Sequence, residues 1–206
     1  MSSSYPATLT FTPPEKVANW RPLVNWLLAI PHFVILYGLR ILSQVVGVIS
    51  WFVILFTGEL PENFANIQTM YLRYETRVFT FWVFMCEEYP PFDFALTAAD
   101  DGVDPRLRVD FTPQLTDRNR LTVAFRIILV IPQLLALLVL NIVAFVVTVI
   151  AFFYVLFTGK WPEGMRDLVL NIARWYLRVE AYFLLLLDEY PPFELETQAA
   201  PPPAQL

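Results

Sequence analysis

Four arginines carry the strongest chemical signal in this sequence. Arg73 and Arg77 stand one helical turn apart, and Arg174 and Arg178 repeat that spacing 101 residues later. Asp167, Asn171, Arg174 and Arg178 fall within one narrow helical face, and Asn66, Arg73 and Arg77 repeat most of that stripe. Such a face suits an anionic headgroup or substrate, or a polar path through a helix bundle. The plainer expectation, preferred here, pairs these arginines with acidic residues such as Glu75 and Glu180, or lets them snorkel to headgroups. Arg40 sits in an apolar run and its counterpart is the uncharged Asn141, so it must find a partner within the bundle or on another subunit.

Other reactive residue types are sparse. His32, the one histidine, is a candidate axial ligand for haem, chlorophyll or a metal, but one histidine cannot build a metal site. Beside Pro31 it reads as hydrogen-bonded or interfacial, and no cofactor is expected. The pairs Glu87-Glu88 and Asp188-Glu189 have the makings of general acid/base groups, yet they sit where a helix leaves an apolar environment, and solvation accounts for them. Cys86 is alone, which excludes an intramolecular disulfide and a thiolate metal site. No nucleophile triad, Walker loop or dinucleotide fingerprint is present, so no enzyme activity is expected.

The elements that must position these residues are dominated by one stretch, Ile131 to Phe157, in which only Gln133, Asn141 and Thr148 interrupt aliphatic and aromatic side chains. At 1.5 Å of rise per residue it reaches roughly 39 Å, more than the roughly 30 Å hydrocarbon core of a bilayer. Ile30 to Phe56 is a close copy, and both runs end in LFTG with Pro-Glu two residues on. Gly58 and Gly159, Arg73 and Arg174, Glu88 and Glu189, and Phe92 and Phe193 are all 101 apart, the mark of a duplication.

Each copy then reads in the same order. Short strands are expected at Ala7 to Phe11 and Leu107 to Phe111. An interfacial helical segment follows, with Val17, Trp20, Val24, Leu27 and Leu28 on one arc. A helix from Lys16 to Phe56 without a bend would be about twice the bilayer core, so kinks are expected at Pro31 and Pro132. Gly58 with Pro61, and Gly159 with Pro162, stop the long helices. Second helices are expected over roughly Asn63 to Cys86 and Met165 to Leu187, their ends almost wholly apolar. Both close on Tyr89-Pro90-Pro91-Phe92 and Tyr190-Pro191-Pro192-Phe193, whose prolines favour extended chain and further short strands at Phe92 to Leu96 and Phe193 to Glu196. The aromatic residues Trp20, Trp26, Trp51, Trp82, Trp161, Trp175, Tyr89 and Tyr190 suit an interfacial belt better than a cofactor box.

The fold expected is therefore an all-α integral membrane protein of two tandem helical hairpins, about four transmembrane helices in all, with short strands capping one side. Repeat 1 covers 5–97 and repeat 2 covers 106–196, with an acidic linker at 98–105 and a disordered Pro/Ala tail at 197–206; neither linker nor tail is expected to carry chemistry. If the second helices cross, both hairpins return to one side and all strands meet there, at the cost of placing Arg73, Glu75 and Arg77 in or near lipid.

Composition agrees with that class. Hydrophobic residues make up 57% and charged residues 16%, with a mean hydropathy of +0.52, outside the balance of water-soluble domains. The net charge of -5 and absence of a basic cluster argue against nucleic acid. Basic residues are modestly richer on the strand side and no secretory signal is visible, which favours cytoplasmic termini.

The succession of strand, IPH at Ile30 to His32, LFTG-x-x-P, an arginine-bearing helix and EYPPF resembles the bacterial membrane family catalogued as domain of unknown function 4389, here in tandem. His32 fits the family's IPH in the first copy, whereas Gln133 replaces it in the second. The resemblance implies fold and a bacterial cytoplasmic membrane location, and brings no activity. The function expected is an accessory or scaffolding subunit that binds membrane lipids, a protein partner or further copies of itself. The alternative is a small oligomeric transporter or channel-like protein using the arginine stripe.

Overall fold

A computed structural model describes residues 5–97 and 99–195. The chain is mostly helical, with β1 (Ala7–Phe11), α1 (Arg21–Leu28), α2 (Ile30–Thr57) and α3 (Glu62–Trp82) in the first copy. The second holds β2 (Leu107–Phe111), α4 (Arg120–Ala124), α5 (Arg126–Thr158) and α6 (Glu163–Phe183). Glu196 and the tail fall outside the described residues.

The LFTG signature is a helix stop with two parts. Gly58 and Gly159 take left-handed φ values of 80° and 68° and return their N–H groups to Ile54 and Val155. The preceding threonine works in both directions: Thr57 Oγ1 donates to the Val53 carbonyl and accepts from Glu59 N–H, and Thr158 does the same with Tyr154 and Lys160. The two glycines differ in what surrounds them. A Cβ on Gly58 would meet the movable Arg120 guanidinium at 3.1 Å, whereas one on Gly159 would come within 2.8 Å of the Val17 carbonyl. Gly58→Ala should cost about 1–2 kcal/mol. Gly159→Ala should cost at least about 1 kcal/mol more, because it also displaces the Val17 N–H bond to its own carbonyl. Thermal melts of the two variants test this.

Three expectations are corrected. The first long helix is interrupted beside Pro31 as expected, Pro31 lying in the first turn of α2 where no N–H is needed, but the second is not interrupted at Pro132, because α5 runs through it. The breaks fall at Ala29 and Phe125. Second, α3 and α6 end earlier than expected. Phe84 and Leu185, which are repeat counterparts, adopt positive φ, and Met85 and Leu186 N–H groups close back on Thr80 and Ala181. The apolar tails Val83–Cys86 and Leu184–Leu187 are consequently buried loop, not the end of a crossing helix. Third, Phe92–Leu96 and the described part of 193–196 are not strands; the Asp93 side chain is engaged by α3 and the Glu194 carbonyl by α6 instead.

β1 and β2 pair antiparallel, with Leu9 opposite Val109. Their inward residues, Leu9, Phe11, Leu107, Val109 and Phe111, are buried, while Thr8, Thr10, Arg108 and Asp110 face outward. The sheet does not sit at the end of the bundle. It packs over the middles of α3 and α6, held by Arg73 Nε to the Val109 carbonyl (3.3 Å) and Arg174 Nε to the Leu9 carbonyl (3.0 Å).

The two hairpins lie tip to base. Val17 N–H donates to the Gly159 carbonyl (2.8 Å) and Asn19 to the Leu156 carbonyl, so the start of copy 1 abuts the turn of copy 2. Reciprocally, Leu60 N–H donates to Leu115 (2.7 Å) and Arg118 N–H to Gly58 (3.2 Å). Phe84, past the end of α3, stacks on Trp161 at the turn of copy 2 and accepts its indole N–H. α2 packs on α3, α3 on α6 and α6 on α5. The copies are thus related by an approximate two-fold axis that passes through the Leu9–Val109 pair and runs across the helices rather than along them.

Candidate functional site

The arginine stripe faces the sheet and is engaged along its length. Arg77 bonds Asp93 (2.7 Å) and Asp100 (2.9 Å). Arg73 reaches Asp100 at 3.5 Å and donates to the Thr97 carbonyl at 3.2 Å. In the second copy Arg174 donates to Asn171 Oδ1 (2.6 Å) and Arg178 to the Glu194 carbonyl (2.6 Å). The carboxylates that meet Arg73 and Arg77 are Asp93 and Asp100, not Glu75, and these contacts of Arg174 and Arg178 are to an amide oxygen and backbone carbonyls, not to Glu180. Asp167 does not join them; it is exposed beside Arg166. Asn66 touches the network only through its carbonyl, which accepts from Thr69.

Asp100, from the linker, is part of this structural network. Its side chain is fully buried and also accepts N–H groups from Gly102 and Val109. Asp93 bears a burial penalty, but the Arg77 hydrogen bond and the Ala95 N–H outweigh it and hold its carboxyl below the usual range.

The acidic pairs are likewise more than solvated helix ends. Asp188 accepts from Arg118 (2.7 Å), Arg126 (2.6 Å) and Asn119 N–H (2.8 Å), and these contacts overcome burial to depress its pKa. Its counterpart Glu87 accepts the Ala18 N–H and lies 3.9 Å from Arg21. Both carboxylates therefore tie the start of a kinked helix to the end of α3 or α6. Asn25 and Arg126, also counterparts, complete the tie by donating to the carbonyls of Cys86 and Leu187.

His32 is buried, with Nδ1 2.6 Å from the Tyr74 hydroxyl and its ring stacked on Phe92 and tilted against Tyr89. In the second copy Gln133 and Trp175 occupy the equivalent positions and bond directly, Trp175 Nε1 to Gln133 Oε1 at 2.7 Å, with Gln133 also donating to the Pro191 carbonyl. The position anchors the Tyr-Pro-Pro-Phe segment in both copies, by two chemistries. Trp161 and Trp175 are correspondingly buried rather than part of a surface belt. Burial pushes the Cys86 thiol up to about 12, which removes it as a nucleophile. Among the described residues no cluster of metal-ligating side chains occurs.

A second constellation, missed in the sequence, lies on the opposite face of α3 and α6. Tyr71 donates to Glu75 and Tyr176 to Glu180, each at 3.0 Å. The shared signal was Tyr-x-x-x-Glu, displaced by 105 residues instead of 101, so the two glutamates are not repeat counterparts. Burial, and then the neighbouring Glu75, push the Glu180 carboxyl well above its ordinary range. Glu75 lines a cavity of about 360 Å³ between α3, α5 and α6, together with Thr76, Trp82, Asn141, Thr148 and Tyr176. It also lines a groove of about 330 Å³ between α2 and α3 that holds Arg40 and Tyr71. Both are otherwise walled by apolar side chains.

The model of a family described as domain of unknown function (DUF4389) matches residues 19–93 and again 120–194. The chain belongs to that family. It carries the DUF4389 unit twice, the matches starting just ahead of α1 and at the first residue of α4 and ending past the Tyr-Pro-Pro-Phe segments. Both strands and Asp100 lie outside the matched residues, whereas Phe84 and Trp161, which also join the two units, lie inside them. Neither a curated protein nor a solved structure matches.

Proposed function

We propose that this tandem DUF4389 protein is a non-catalytic accessory or scaffolding subunit of the bacterial cytoplasmic membrane. It would hold lipid, or a larger membrane complex, against its α2 and α5 face, with the sheet and termini in the cytoplasm. One observation carries the reading: α2 and α5 are each long and apolar enough to cross a bilayer, yet little of either is buried within the chain. A core helix of a water-soluble domain would be covered. The groove and cavity beside Glu75 open among these helices and suit acyl chains with a hydrogen-bonding headgroup.

Four crossings gain no support, since the apolar tails that suggested them are internal loops, and α3 and α6 carry arginines on one face and Glu75 and Glu180 on the other. The transport alternative draws none from the arginines, which are taken up by carboxylates and backbone carbonyls. Native mass spectrometry of the full chain, extracted in mild detergent, tests the proposal. Retained phospholipid or a stoichiometric membrane partner is expected; a lipid-free lone monomer contradicts it.

A further inference from the structure

The two faces of the molecule fix how it sits in lipid, provided the membrane reading above is right. One face is the outer side of the sheet, with Thr8, Thr10 and the exposed Arg108–Asp110 ion pair. The other is formed by α2 and α5, where Val34, Ile41, Val48 and Phe56 are exposed from one end of α2 to the other, and Ile127, Leu138, Phe145 and Phe157 along α5. Between them, α3 and α6 turn their arginines toward the sheet and Glu75 toward the apolar side.

The line from the polar face to the apolar face therefore runs perpendicular to the long helices, because the sheet covers the middles of α3 and α6. Suppose α2 and α5 stood upright in a bilayer. The sheet, with its unpaired outer edges and the Arg108–Asp110 pair, would then lie at the depth of the acyl-chain midplane, where neither backbone edges nor charges are tolerated. The tip-to-base packing adds a second constraint. Each end of the molecule combines the base of one hairpin with the turn of the other, so the two ends are chemically alike.

We infer that α2 and α5 lie parallel to the membrane surface, immersed in one leaflet, with the sheet raised into water. The length that lets each helix pass for a crossing segment serves here as a long float. At α1 and α4, which adjoin these helices, Trp20, Leu23, Trp26, Leu121 and Phe125 are also exposed, and their aromatic rings suit the headgroup boundary. An in-plane helix immerses its apolar side by about 5–10 Å. The occupant of the face is thus acyl chains of a single leaflet, and the cavity beside Glu75 opens toward them.

Depth profiling along α2 tests this directly. Nitroxide labels are placed by Val34→Cys, Ile41→Cys, Val48→Cys and Phe56→Cys, each in the full chain carrying Cys86→Ser, with Arg108→Cys as the sheet reference. The chains are bound to vesicles of phosphatidylethanolamine and phosphatidylglycerol, and relaxation by oxygen is compared with that by a nickel chelate. The expected result is that all four α2 labels lie at one shallow depth, within about 5 Å of each other, while Arg108→Cys stays in water. A profile in which Ile41 and Val48 lie about 10–15 Å deeper than Val34 and Phe56 overturns the inference. So does oxygen-protected, spin-broadened signal at all four, which would mean a second copy covers the face. Flotation of the same samples separates the failures: chains that do not rise with the vesicles remove the membrane reading itself, whereas chains that rise with a crossing profile remove only the orientation.

Discussion

Asp100→Ala is expected to destabilise the chain by about 3–5 kcal/mol, the usual consequence of removing one partner from a buried ion pair. Asp100 takes charge from Arg77 at 2.9 Å and Arg73 at 3.5 Å, and none of these three side chains reaches solvent to any useful extent. Arg77 would keep Asp93 as its ion-pair partner, while Arg73 would lose the carboxylate it reaches. The loss would also free the Val109 and Gly102 N–H groups that Asp100 accepts, loosening β2 from α3. For a chain of this size the drop in Tm is roughly 10 °C. Asp101→Ala, next door and exposed, should stay within about 0.5 kcal/mol. Circular-dichroism melts in one detergent give the comparison, and equal melts for the two variants would refute the assigned role.

Asp188→Asn should cost nearly as much, about 3 kcal/mol, whereas Glu87→Gln at the equivalent position should cost less than about 1 kcal/mol. The repeat makes these positions homologous, but their surroundings differ. Asp188 binds two almost fully buried arginines, while Glu87 has a side chain 41% exposed and an arginine at 3.9 Å. The Asp188 pKa is lowered on folding, as is that of Asp93. A depressed carboxylate contributes stability that is fully present above its unfolded value, about 3.9, and is lost as pH falls through the folded value. The Tm of the parent chain should accordingly change little, for these groups, between pH 7 and about 5, and fall below about 4. Asp188→Asn should show a shallower fall. An Asp188→Asn chain whose Tm falls as steeply as the parent's below about pH 4 would contradict the assignment.

Much of the architecture was legible because it is local or repeated. The 101-residue offset, the LFTG stops, the two long apolar helices and the strands at Ala7–Phe11 and Leu107–Phe111 all follow from periodicity and turn chemistry. What stayed hidden depends on contacts distant in sequence. Nothing near Arg77 announces that its second carboxylate lies in the linker, since a run such as AADDGVDP reads as a solvated turn until β2 folds beside it. The apolar tails Val83–Cys86 and Leu184–Leu187 look like helix in lipid because hydropathy reports that a residue avoids water, not what covers it. Here the cover is protein, including Trp161 from the other copy. His32 and Gln133 looked like a lost motif, yet each meets the aromatic residue at the same place on α3 or α6, Tyr74 or Trp175, so geometry persists where residue type does not. The break at Ala29 lies beside the proline that announces it, whereas that at Phe125 escaped, since proline shows where a helix tolerates a bend while the pull of Arg126 on the end of α6 accompanies where it bends.

The central claim is that the exposed α2 and α5 surface is covered by lipid. Its most direct measurement is removal of detergent from the purified full chain in the presence of phosphatidylethanolamine–phosphatidylglycerol vesicles, followed by flotation after a high-salt wash. The account predicts that the chain rises with the vesicles and stays there through the wash, since apolar burial is not screened by salt. A chain that remains monodisperse and lipid-free in plain buffer, at the bottom of the gradient, would contradict it.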